Sequence, residues 1–347
     1  MKASATVPTR IDLAGGTLDV YPLYLFEDGG LTVNAAINVY GHVTVEERAD
    51  AQVHIHSEDT GTEEAFASLA AMSASLGGEL DLVKKALRFY CRQRDAQRGL
   101  DVTLRSEAPH GSGLGASSAL LMALSSAVNE IESLGLSKGR LIDLGANIEA
   151  QVIGIPTGKQ DYFPPLFGGI CSIRFDVDGH RLERLDEGSN LIDRLNERLI
   201  LSFTNTNRFS GATNWAMLKR YIEREGRTVA HLRRIKEVAL AMRQSLAAGE
   251  LDDLARLLAL EWENRKALAE GVTTPEIEAM IAAAQARGAH ASKLCGAGGG
   301  GCMITYAEPE DVPAVREALV DAGATPMPFC IVPEGIRLEI STNKEPQ

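Results

Sequence analysis

Cysteine and long apolar runs are both scarce in this sequence. Its five cysteines are scattered over 347 residues with no CxxC pair, a pattern that argues against a disulfide framework and against a zinc ribbon. The longest nearly apolar run, residues 119–128, is interrupted by serines and is too short to cross a bilayer. The opening stretch, MKASATVPTR, lacks the apolar segment of a secretory signal. These absences predict a reduced, soluble, cytoplasmic protein.

A surplus of positive charge is also absent. Lysine and arginine number 35 against 47 aspartates and glutamates, so the formal net charge is −12. Bulk attraction to nucleic acid or to an anionic membrane is therefore excluded as the basis of function. An anionic ligand has to be held by local groups such as backbone N–H donors. Hydrophobic residues make up 45% of the chain, which is ample for a folded core.

Length and element pattern together predict two domains. A single core stops growing at about 250–300 residues, and this chain has 347. The first half is rich in strand patterns at residues 32–37, 42–47, 51–56 and 100–105, with a turn expected at 38–41. Long amphipathic helices follow from about residue 190, and Thr274-Pro275 predicts the start of one of them. We therefore expect an N-terminal domain over 1–190 and a C-terminal domain over 191–347.

The most unusual segment is a glycine- and serine-rich loop, residues 109–118, that runs directly into an apolar helix. Its glycines let backbone N–H groups approach a ligand, and the helix N-terminus adds unpaired donors. This combination predicts a cradle for a polyphosphate, and a serine of the first helical turn suits the accompanying magnesium ion. A glycine-rich turn that only caps a buried helix is the alternative. No Lys-Ser/Thr pair ends the loop, which disfavours a P-loop NTPase.

A second glycine run, residues 296–301, reads GAGGGG and contains a formal GxGxxG pattern. A dinucleotide-binding loop follows a strand and opens a helix. Here we expect a helix at 276–287 before the run and a strand at 302–306 after it, so dinucleotide binding is excluded. Five glycines in six positions are costly to order. We therefore expect a loop whose backbone lies against another loop or a ligand.

Four charged residues fit the chemistry of phosphoryl transfer: Arg10, Asp19, Glu149 and Asp161. This reaction needs a carboxylate to orient or deprotonate the attacking hydroxyl, a magnesium ligand, and a cation for the developing charge. Asp161, Glu149 and Arg10 match those roles. Each of them alone is better explained as a solvated loop or helix-surface charge, so the interpretation depends on the joint pattern.

Three stretches together resemble the GHMP kinases, the group named for galactokinase, homoserine kinase, mevalonate kinase and phosphomevalonate kinase. They are PTRIDLAGGTLD near the N-terminus, PHGSGLGASSA in the middle and KLCGAGGGGC late in the chain, and the resemblance spans most of the sequence. GKQDYFPPLFGG and the nine-residue spacing from Arg10 to Asp19 resemble the sugar branch of that family. Its members phosphorylate an anomeric hydroxyl, as heptose 7-phosphate kinases and fucokinases do.

The resemblance implies an α+β protein of two domains. The N-terminal one would be an α/β domain like ribosomal protein S5 domain 2, and the C-terminal one a ferredoxin-like α+β domain. ATP would lie along the loop with Mg²⁺ as cofactor. Asp161 would act as catalytic base or orienting carboxylate, Arg10 would stabilise the transferring phosphoryl group, and Asp19 would hydrogen-bond the sugar. The glycine run at 296–301 would pack against the phosphate loop and close the site.

The site residues implied by this resemblance fall into four groups. The catalytic residues are Asp161 and Arg10. The ATP-binding residues are Gly111, Ser112, Gly113, Leu114, Gly115, Ala116, Ser117, Ser118, Gly298 and Gly299. The substrate-binding residues are Asp19, Gly15, Gly16, Lys159, Gln160 and Arg208. The magnesium ligands are Ser117, Ser118 and Glu149.

Two departures from the heptose kinases bear on the substrate. Where they read AGGGTD and KQDQ, this chain has Leu18 before Asp19 and Tyr162 after Asp161. A leucine and a tyrosine beside the sugar pocket would change which hydroxyls are read, while leaving the reaction class intact.

The implied activity is ATP-dependent phosphorylation of the anomeric hydroxyl of a sugar. The expected sugar is D-glycero-D-manno-heptose 7-phosphate, giving the 1,7-bisphosphate. The alternatives are fucose, a galactose-type sugar, a mevalonate- or homoserine-like alcohol, and a nucleotide-binding sensor without turnover. We expect ATP and a sugar or sugar phosphate as partners, with no nucleic acid and no membrane; a homodimer is left open.

Other residues have structural explanations. His54 and His56 alternate on a predicted strand without further ligands nearby, so we expect surface residues and no metal site. Trp215 and Trp262 lie on helical patterns and are predicted to be in the core. Arg208 resembles a family segment near the active site, where its guanidinium would contact a substrate phosphate or stabilise a turn.

Overall fold

The computed structural model describes residues 1–206 and 210–342. Its strands are, in chain order, β1 (Lys2–Ala14), β2 (Gly30–Glu47), β3 (Val53–Ser57), β4 (Thr62–Phe66), β5 (Leu100–Ser106), β6 (Ile170–Asp176), β7 (Gly179–Arg184), β8 (Leu199–Phe203), β9 (Ala289–Leu294), β10 (Cys302–Ala307), β11 (Thr325–Met327) and β12 (Arg337–Ser341). Its α-helices are α1 (Leu23–Phe26), α2 (Leu69–Ala74), α3 (Asp81–Tyr90), α4 (Ala116–Ile131), α5 (Lys138–Ile153), α6 (Phe163–Phe167), α7 (Leu191–Asn196), α8 (Ser210–Ile222), α9 (Thr228–Ala247), α10 (Leu254–Lys266), α11 (Pro275–Gln285) and α12 (Val312–Asp321). A 3-10 turn at Gln160–Tyr162 precedes α6.

The first sheet is built on the long antiparallel pair of β1 and β2. The strand order is β12-β1-β2-β5-β3-β4, and β6 and β7 extend the sheet from the first half of β2. β3 and β5 pair in parallel, whereas β1 pairs with β2 and β12 in antiparallel fashion. This sheet places β1, which carries Arg10, between two neighbouring strands.

The course of β2 shows that the turn expected at residues 38–41 is wrong. β2 runs unbroken from Gly30 to Glu47, and its first half pairs with β6 while its second half pairs with β5. Its register against β1 shifts between Pro8 and Thr9. A local irregularity of the bulge type therefore lies where β2 changes its pairing from β6 to β5. Strand pairing along β2 overrides the turn preference of Asn-Val-Tyr-Gly.

Helix α4 packs against β1 and β2 and carries the phosphate loop at its N-terminus. Leu121, Met122 and Leu124 are each at most 1% exposed, and the helix is apolar around most of its circumference. Such a helix is buried by its neighbours. The packing therefore fixes the loop against the sheet.

The second sheet has the strand order β11-β8-β10-β9, with antiparallel pairs. Helices α8 to α11 connect β8 to β9, and α12 connects β10 to β11. This β-α-β-β-α-β sequence of elements is the ferredoxin-like arrangement, so the expected α+β class is confirmed. The chain changes sheet between β7 and β8, and we propose the domain boundary near residue 190 on that ground. β12 is an exception to it, because it returns to the first sheet.

The smaller expectations have mixed outcomes. Thr274 caps α11 by accepting a hydrogen bond from the Ile277 N–H, as predicted. Trp262 is buried as predicted, but the prediction for Trp215 is wrong: it is 47% exposed. It lies on α8 opposite the face that buries Met217.

The sequence predicted no metal site at His54 and His56 and no membrane-spanning segment. His54 is half-buried and His56 is exposed. No group of three or more His, Cys, Asp or Glu side chains in the described residues is arranged to hold a metal ion. Among the described residues, no helix combines the length and the apolar content that a membrane span needs.

Candidate active site

The phosphate loop ends at Gly115, which starts α4 in a left-handed backbone conformation with φ +72°. Gly115 is the N-cap residue and has no side chain, so it gives the first N–H groups of α4 no side-chain hydrogen-bond acceptor. In the first turn Ser117 is exposed and Ser118 is buried. A helix N-terminus of this kind is suited to an anion.

The glycine run packs against the phosphate loop, as the resemblance implied. The Cys302 N–H donates to the Ser112 carbonyl over 2.7 Å. A Cβ at Gly301 would lie 2.7 Å from that same oxygen, and one at Gly296 would lie 3.1 Å from the Gly113 carbonyl oxygen. Two backbones that meet this closely leave no room for side chains.

Two details of the run differ from expectation. A strand, β9, precedes the run instead of the end of a helix, so the run connects β9 to β10. The predicted helix at 276–287 ends earlier, at Gln285. Gly298 and Gly299 lie against Val272, whose carbonyl accepts from the Gly299 N–H over 2.6 Å. The contacts with the phosphate loop come instead from the two ends of the run, and ATP binding by Gly298 and Gly299 stays a prediction.

Arg10 and Asp161 form an ion pair beside the phosphate loop. Arg10 Nε donates to Asp161 Oδ1 over 2.8 Å, Nη2 lies 2.7 Å from the same oxygen, and Nη1 donates to the Gly113 carbonyl. Arg10 is 3% exposed and Asp161 is 26% exposed. Burial by itself lowers the pKa of Arg10, but the charges of Asp161 and Asp12 raise it above its ordinary value. Arg10 is therefore a permanent cation held at the loop.

Glu149 lies on α5 and points to the start of α4. Its Oε2 accepts a hydrogen bond from Ser118 Oγ over 3.0 Å and another from the Tyr162 hydroxyl. Burial and the charge of Asp161 raise the pKa of Glu149. A carboxylate next to a hydroxyl at a phosphate loop is the oxygen donor set that Mg²⁺ takes together with nucleotide phosphates. The residues present therefore fit the magnesium ion of a nucleotide.

Asp19 contacts the segment that carries Asp161. Its Oδ2 accepts the Gln160 backbone N–H over 2.9 Å, and a Cβ at Gly158 would collide with the same carboxylate. Asp19 is 1% exposed. Burial, with a smaller contribution from the charge of Asp161, raises the pKa of Asp19 to about 6. A buried carboxylate with this pKa is a strong acceptor for substrate hydroxyls once it is ionised.

The remaining predicted substrate residues have different positions. Gly15 and Gly16 form the turn after β1, and Gln160 is 7% exposed with its Oε1 lacking a hydrogen-bond partner. Lys159 points toward α5, where its Nζ donates to Asp143 Oδ1 over 2.7 Å. Arg208 lies outside the described residues.

Leu18 and Tyr162, the two departures from the heptose kinases, both lie inside the protein, and an effect on which hydroxyls are read stays a prediction. Leu18 is fully buried in the apolar cluster that contains Trp262 and Leu294. Tyr162 is also fully buried and donates its hydroxyl to Glu149. Both side chains are occupied by protein contacts.

Family comparison agrees with this geometry. The model described as the N-terminal domain of GHMP kinases matches residues 81–169, and the model for the GHMP kinase C-terminal region matches residues 242–325. The chain belongs to the GHMP kinase family. It is a phosphotransferase with an alcohol group as acceptor, of the sugar-kinase type within this family. The two-domain α+β fold of the GHMP kinases is thereby confirmed.

Three relatives are similar to this GHMP kinase over nearly the whole length of both chains. D-glycero-alpha-D-manno-heptose 7-phosphate kinase of Campylobacter jejuni is 28% identical over 95% of this chain and 96% of that protein. Mevalonate kinase of Pyrococcus abyssi is 26% identical over 96% of this chain and 97% of that protein. The crystal structure of a D-glycero-D-manno-heptose 1-phosphate kinase from Bacteroides thetaiotaomicron is 28% identical, with a TM-score of 0.79 over 98% of this chain and 100% of that chain.

Sequence reasoning missed two buried ion pairs of this GHMP kinase. Asp12 Oδ2 accepts from Lys293 Nζ over 2.7 Å, with both side chains 0% exposed, and Arg265 Nη2 donates to Glu261 Oε1 over 2.9 Å. Signals for both were present. Asp12 shares a strand face with Arg10 two residues earlier, and Glu261 and Arg265 have the i,i+4 spacing of helical pairs.

Proposed function

We propose that this GHMP kinase transfers the γ-phosphoryl group of ATP to the anomeric hydroxyl of a sugar. The sugar we propose is D-glycero-D-manno-heptose 7-phosphate, and the product is the 1,7-bisphosphate. The Arg10–Asp161 ion pair at the phosphate loop carries the proposal, because it combines a buried cation with a partly exposed carboxylate at the phosphates. The names of two relatives, a heptose 7-phosphate kinase and a heptose 1-phosphate kinase, support the sugar class.

In the proposed reaction Asp161 orients the attacking hydroxyl and accepts its proton. A bond forms between that oxygen and the γ-phosphorus while the bond from the γ-phosphorus to the bridging oxygen breaks. ADP leaves with the bridging oxygen. Arg10 offers its guanidinium N–H groups to the transferring phosphoryl oxygens, where negative charge is spread in the transition state. Because the charges of Asp161 and Asp12 outweigh the effect of burial and keep Arg10 protonated, this stabilisation needs no proton transfer.

The nucleotide is proposed to lie with its phosphates on the N–H groups of residues 111–118. Ser118, with Ser117 beside it, and Glu149 would hold the magnesium ion, which neutralises phosphate charge when bound. The hydrogen bonds from Ser118 and Tyr162 fix the orientation of the Glu149 carboxylate. Asp19 would accept hydrogen bonds from the sugar, with the Gln160 N–H setting its orientation.

A substrate panel tests the sugar assignment directly. ATP consumption is measured against heptose 7-phosphate, free mannose, fucose, galactose, mevalonate and homoserine, with ³¹P NMR of the product. We expect turnover with the heptose 7-phosphate and an anomeric phosphate signal in the product. Turnover with mevalonate or homoserine, together with none on any sugar, would overturn the sugar assignment.

Asp161→Asn tests the role of the carboxylate. We expect kcat to fall by about 10³-fold because the proton acceptor is lost. ATP affinity, measured by calorimetry, should change by less than about threefold, since Asp161 contacts the acceptor side of the site. Asp253→Asn is the matched control, because this exposed aspartate pairs only with a surface arginine of its own helix region. A variant with full turnover would refute the proposed base, whatever the identity of the sugar.

A further inference from the structure

Arg265 is a cation enclosed in the protein interior next to the active site. It is 1% exposed, lies in the last turn of α10, and donates to Glu261 Oε1 through Nε over 3.2 Å and through Nη2 over 2.9 Å. Glu261 is 0% exposed, and its Oε2 has no hydrogen-bond partner. Burying an ion pair of this kind has a high desolvation cost, so stability alone is a weak explanation for its presence.

The guanidinium of Arg265 lies directly behind the Gly15–Gly16 turn. A Cβ added at Gly16 would be 2.5 Å from Arg265 Nη2 and 3.2 Å from Gln160 Nε2. The next residue, Thr17, has a φ of +76°, which β-branched residues rarely adopt. Its hydroxyl lies 3.5 Å from Arg265 Nη1. Arg265 thus supports an unusual backbone conformation two residues before Asp19.

The same side chain also reaches the glycine run. Arg265 Nη1 lies 3.4 Å from the Gly296 carbonyl oxygen, at the end of the run that faces the phosphate loop. Burial lowers the pKa of Arg265, but the charges of Glu261, Asp12 and Asp19 raise it overall. The planar guanidinium of Arg265 therefore connects α10, the Gly15–Thr17 turn and the glycine run. It also interacts with the charge of Asp19.

We propose that Arg265 is a positioning residue for the sugar, holding the Gly15–Thr17 turn in the conformation that presents Asp19 to the substrate. This inference rests on the proposed sugar kinase function. Arg265 is 1% exposed and packs against the turn from inside the protein, so we assign it a positioning role and no contact with the substrate. The Nη1 contacts at 3.4 and 3.5 Å are long and each is weak by itself, but both come from one guanidinium, which therefore bridges the turn and the run.

Arg265→Met separates positioning from simple stability. We expect the KM for the sugar to rise at least about tenfold, because small displacements of substrate-orienting groups have large effects. The KM for ATP should change by less than about threefold. Protonation of Asp19 should raise the sugar KM at low pH. In this variant that rise should occur at higher pH, since losing a nearby cation raises the pKa of Asp19. Arg265→Lys keeps the charge without the planar fork, so it should restore the pH profile but only part of the sugar affinity.

Arg94→Met is the matched control. Arg94 is 5% exposed and pairs with Glu47 and Glu132, so its loss also leaves a buried charge network broken. We expect a lower Tm with unchanged sugar KM. If Arg265→Met lowers Tm like the control and leaves the sugar KM and its pH profile unchanged, the inference is wrong.

Thr17→Val keeps the test decisive if Arg265→Met does not fold. It removes the hydroxyl that Arg265 approaches and that also donates to Met217 Sδ over 3.6 Å, and we expect a rise in sugar KM of about threefold with Tm nearly unchanged. An unchanged sugar KM in this variant would count against the inference. Failure of the wild type to phosphorylate any sugar would instead refute the proposed function, and the two failures are distinguished by the wild-type assay alone.

Discussion

Two aspartates seven residues apart, Asp12 and Asp19, are both buried and yet differ in the direction of their pKa shifts. Burial raises the pKa of each. At Asp12 this is outweighed by the charges of Lys293, Arg10 and Arg265, and its pKa falls below the usual range. At Asp19 burial prevails, with a smaller contribution from the charge of Asp161, and the hydrogen bond from the Gln160 N–H lowers the pKa too little to offset them, so the pKa rises to about 6. The first is a fixed charge and the second titrates near neutrality.

The Asp19 pKa predicts a pH dependence of sugar binding. Ionised Asp19 accepts hydrogen bonds, and the ionised fraction grows as pH rises through about 6. The KM for the sugar should therefore fall between pH 5 and pH 7, while the KM for ATP stays flat. Steady-state kinetics over that range measure both. Asp19→Asn should bind the sugar more weakly and lose the pH dependence of the sugar KM. If the variant keeps the same fall in KM between pH 5 and pH 7, a group other than Asp19 is responsible for it.

At the scale of elements, the Asp12–Lys293 pair joins β1 of the first sheet to β9 of the second. Asp12 also accepts the Gly296 N–H over 2.7 Å, so the pair fixes the start of the glycine run. Because the folded pKa of Asp12 lies below its unfolded value, its stabilising contribution is complete above the unfolded pKa, about 3.9, and is lost as pH falls through the folded value.

Asp12→Asn should destabilise the protein by about 3–5 kcal/mol, because it leaves the Lys293 ammonium buried without a counter-charge. Adding Lys293→Met should recover part of that loss. Urea unfolding of the two variants and the wild type measures both effects. Asp12→Asn within about 1 kcal/mol of the wild type would show that the pair contributes little.

The glycine run itself is tested by Gly301→Ala. Gly301 has a φ of +88°, and a Cβ there would lie 2.7 Å from the Ser112 carbonyl oxygen of the phosphate loop. We expect kcat/KM for ATP to fall at least about tenfold because the loop must shift. Gly249→Ala is the control: its φ is +70° with no atom within 4 Å of the added Cβ, so it bears the backbone strain without the collision. Equal effects of both variants on ATP kinetics would contradict this explanation.

At the scale of the whole molecule, the site is assembled from both sheets. β1 supplies Arg10, α4 and α5 supply Ser118 and Glu149, and the connection between β9 and β10 supplies the glycine run. Helices α9 and α10 of the second half also contact β1. Because the candidate site is assembled from two halves, we expect it to close when its ligands bind.

Closure predicts a change in hydrogen exchange. Amides of residues 296–301 should exchange more slowly when ATP and sugar are both bound than in the free protein, because bound ligands would restrain the phosphate loop against which the run packs. Exchange mass spectrometry with ATP alone, sugar alone and both resolves the contribution of each. Unchanged exchange in the run with both ligands would exclude a closing role.

Elements with strong local signals were predictable from the sequence. The Thr274 cap and the glycine-rich approach to α4 depend on residues close in the chain, and the structure has both. The turn at 38–41 and the burial of Trp215 were predicted wrongly. Both depend on which distant strand or helix covers the segment, and local preference cannot supply that.

The sequence by itself indicated the reaction class of this protein, because three of its motifs resemble those of the GHMP kinases and occur in the same order along the chain. It also singled out Arg10 and Asp161, which the structure joins in one ion pair. Only the tertiary structure decided that Asp12 and Arg265 belong to the same region, and that Tyr162 contacts Glu149. Burial and charge pairing across hundreds of residues set those properties, and they arise only when the chain brings distant segments together.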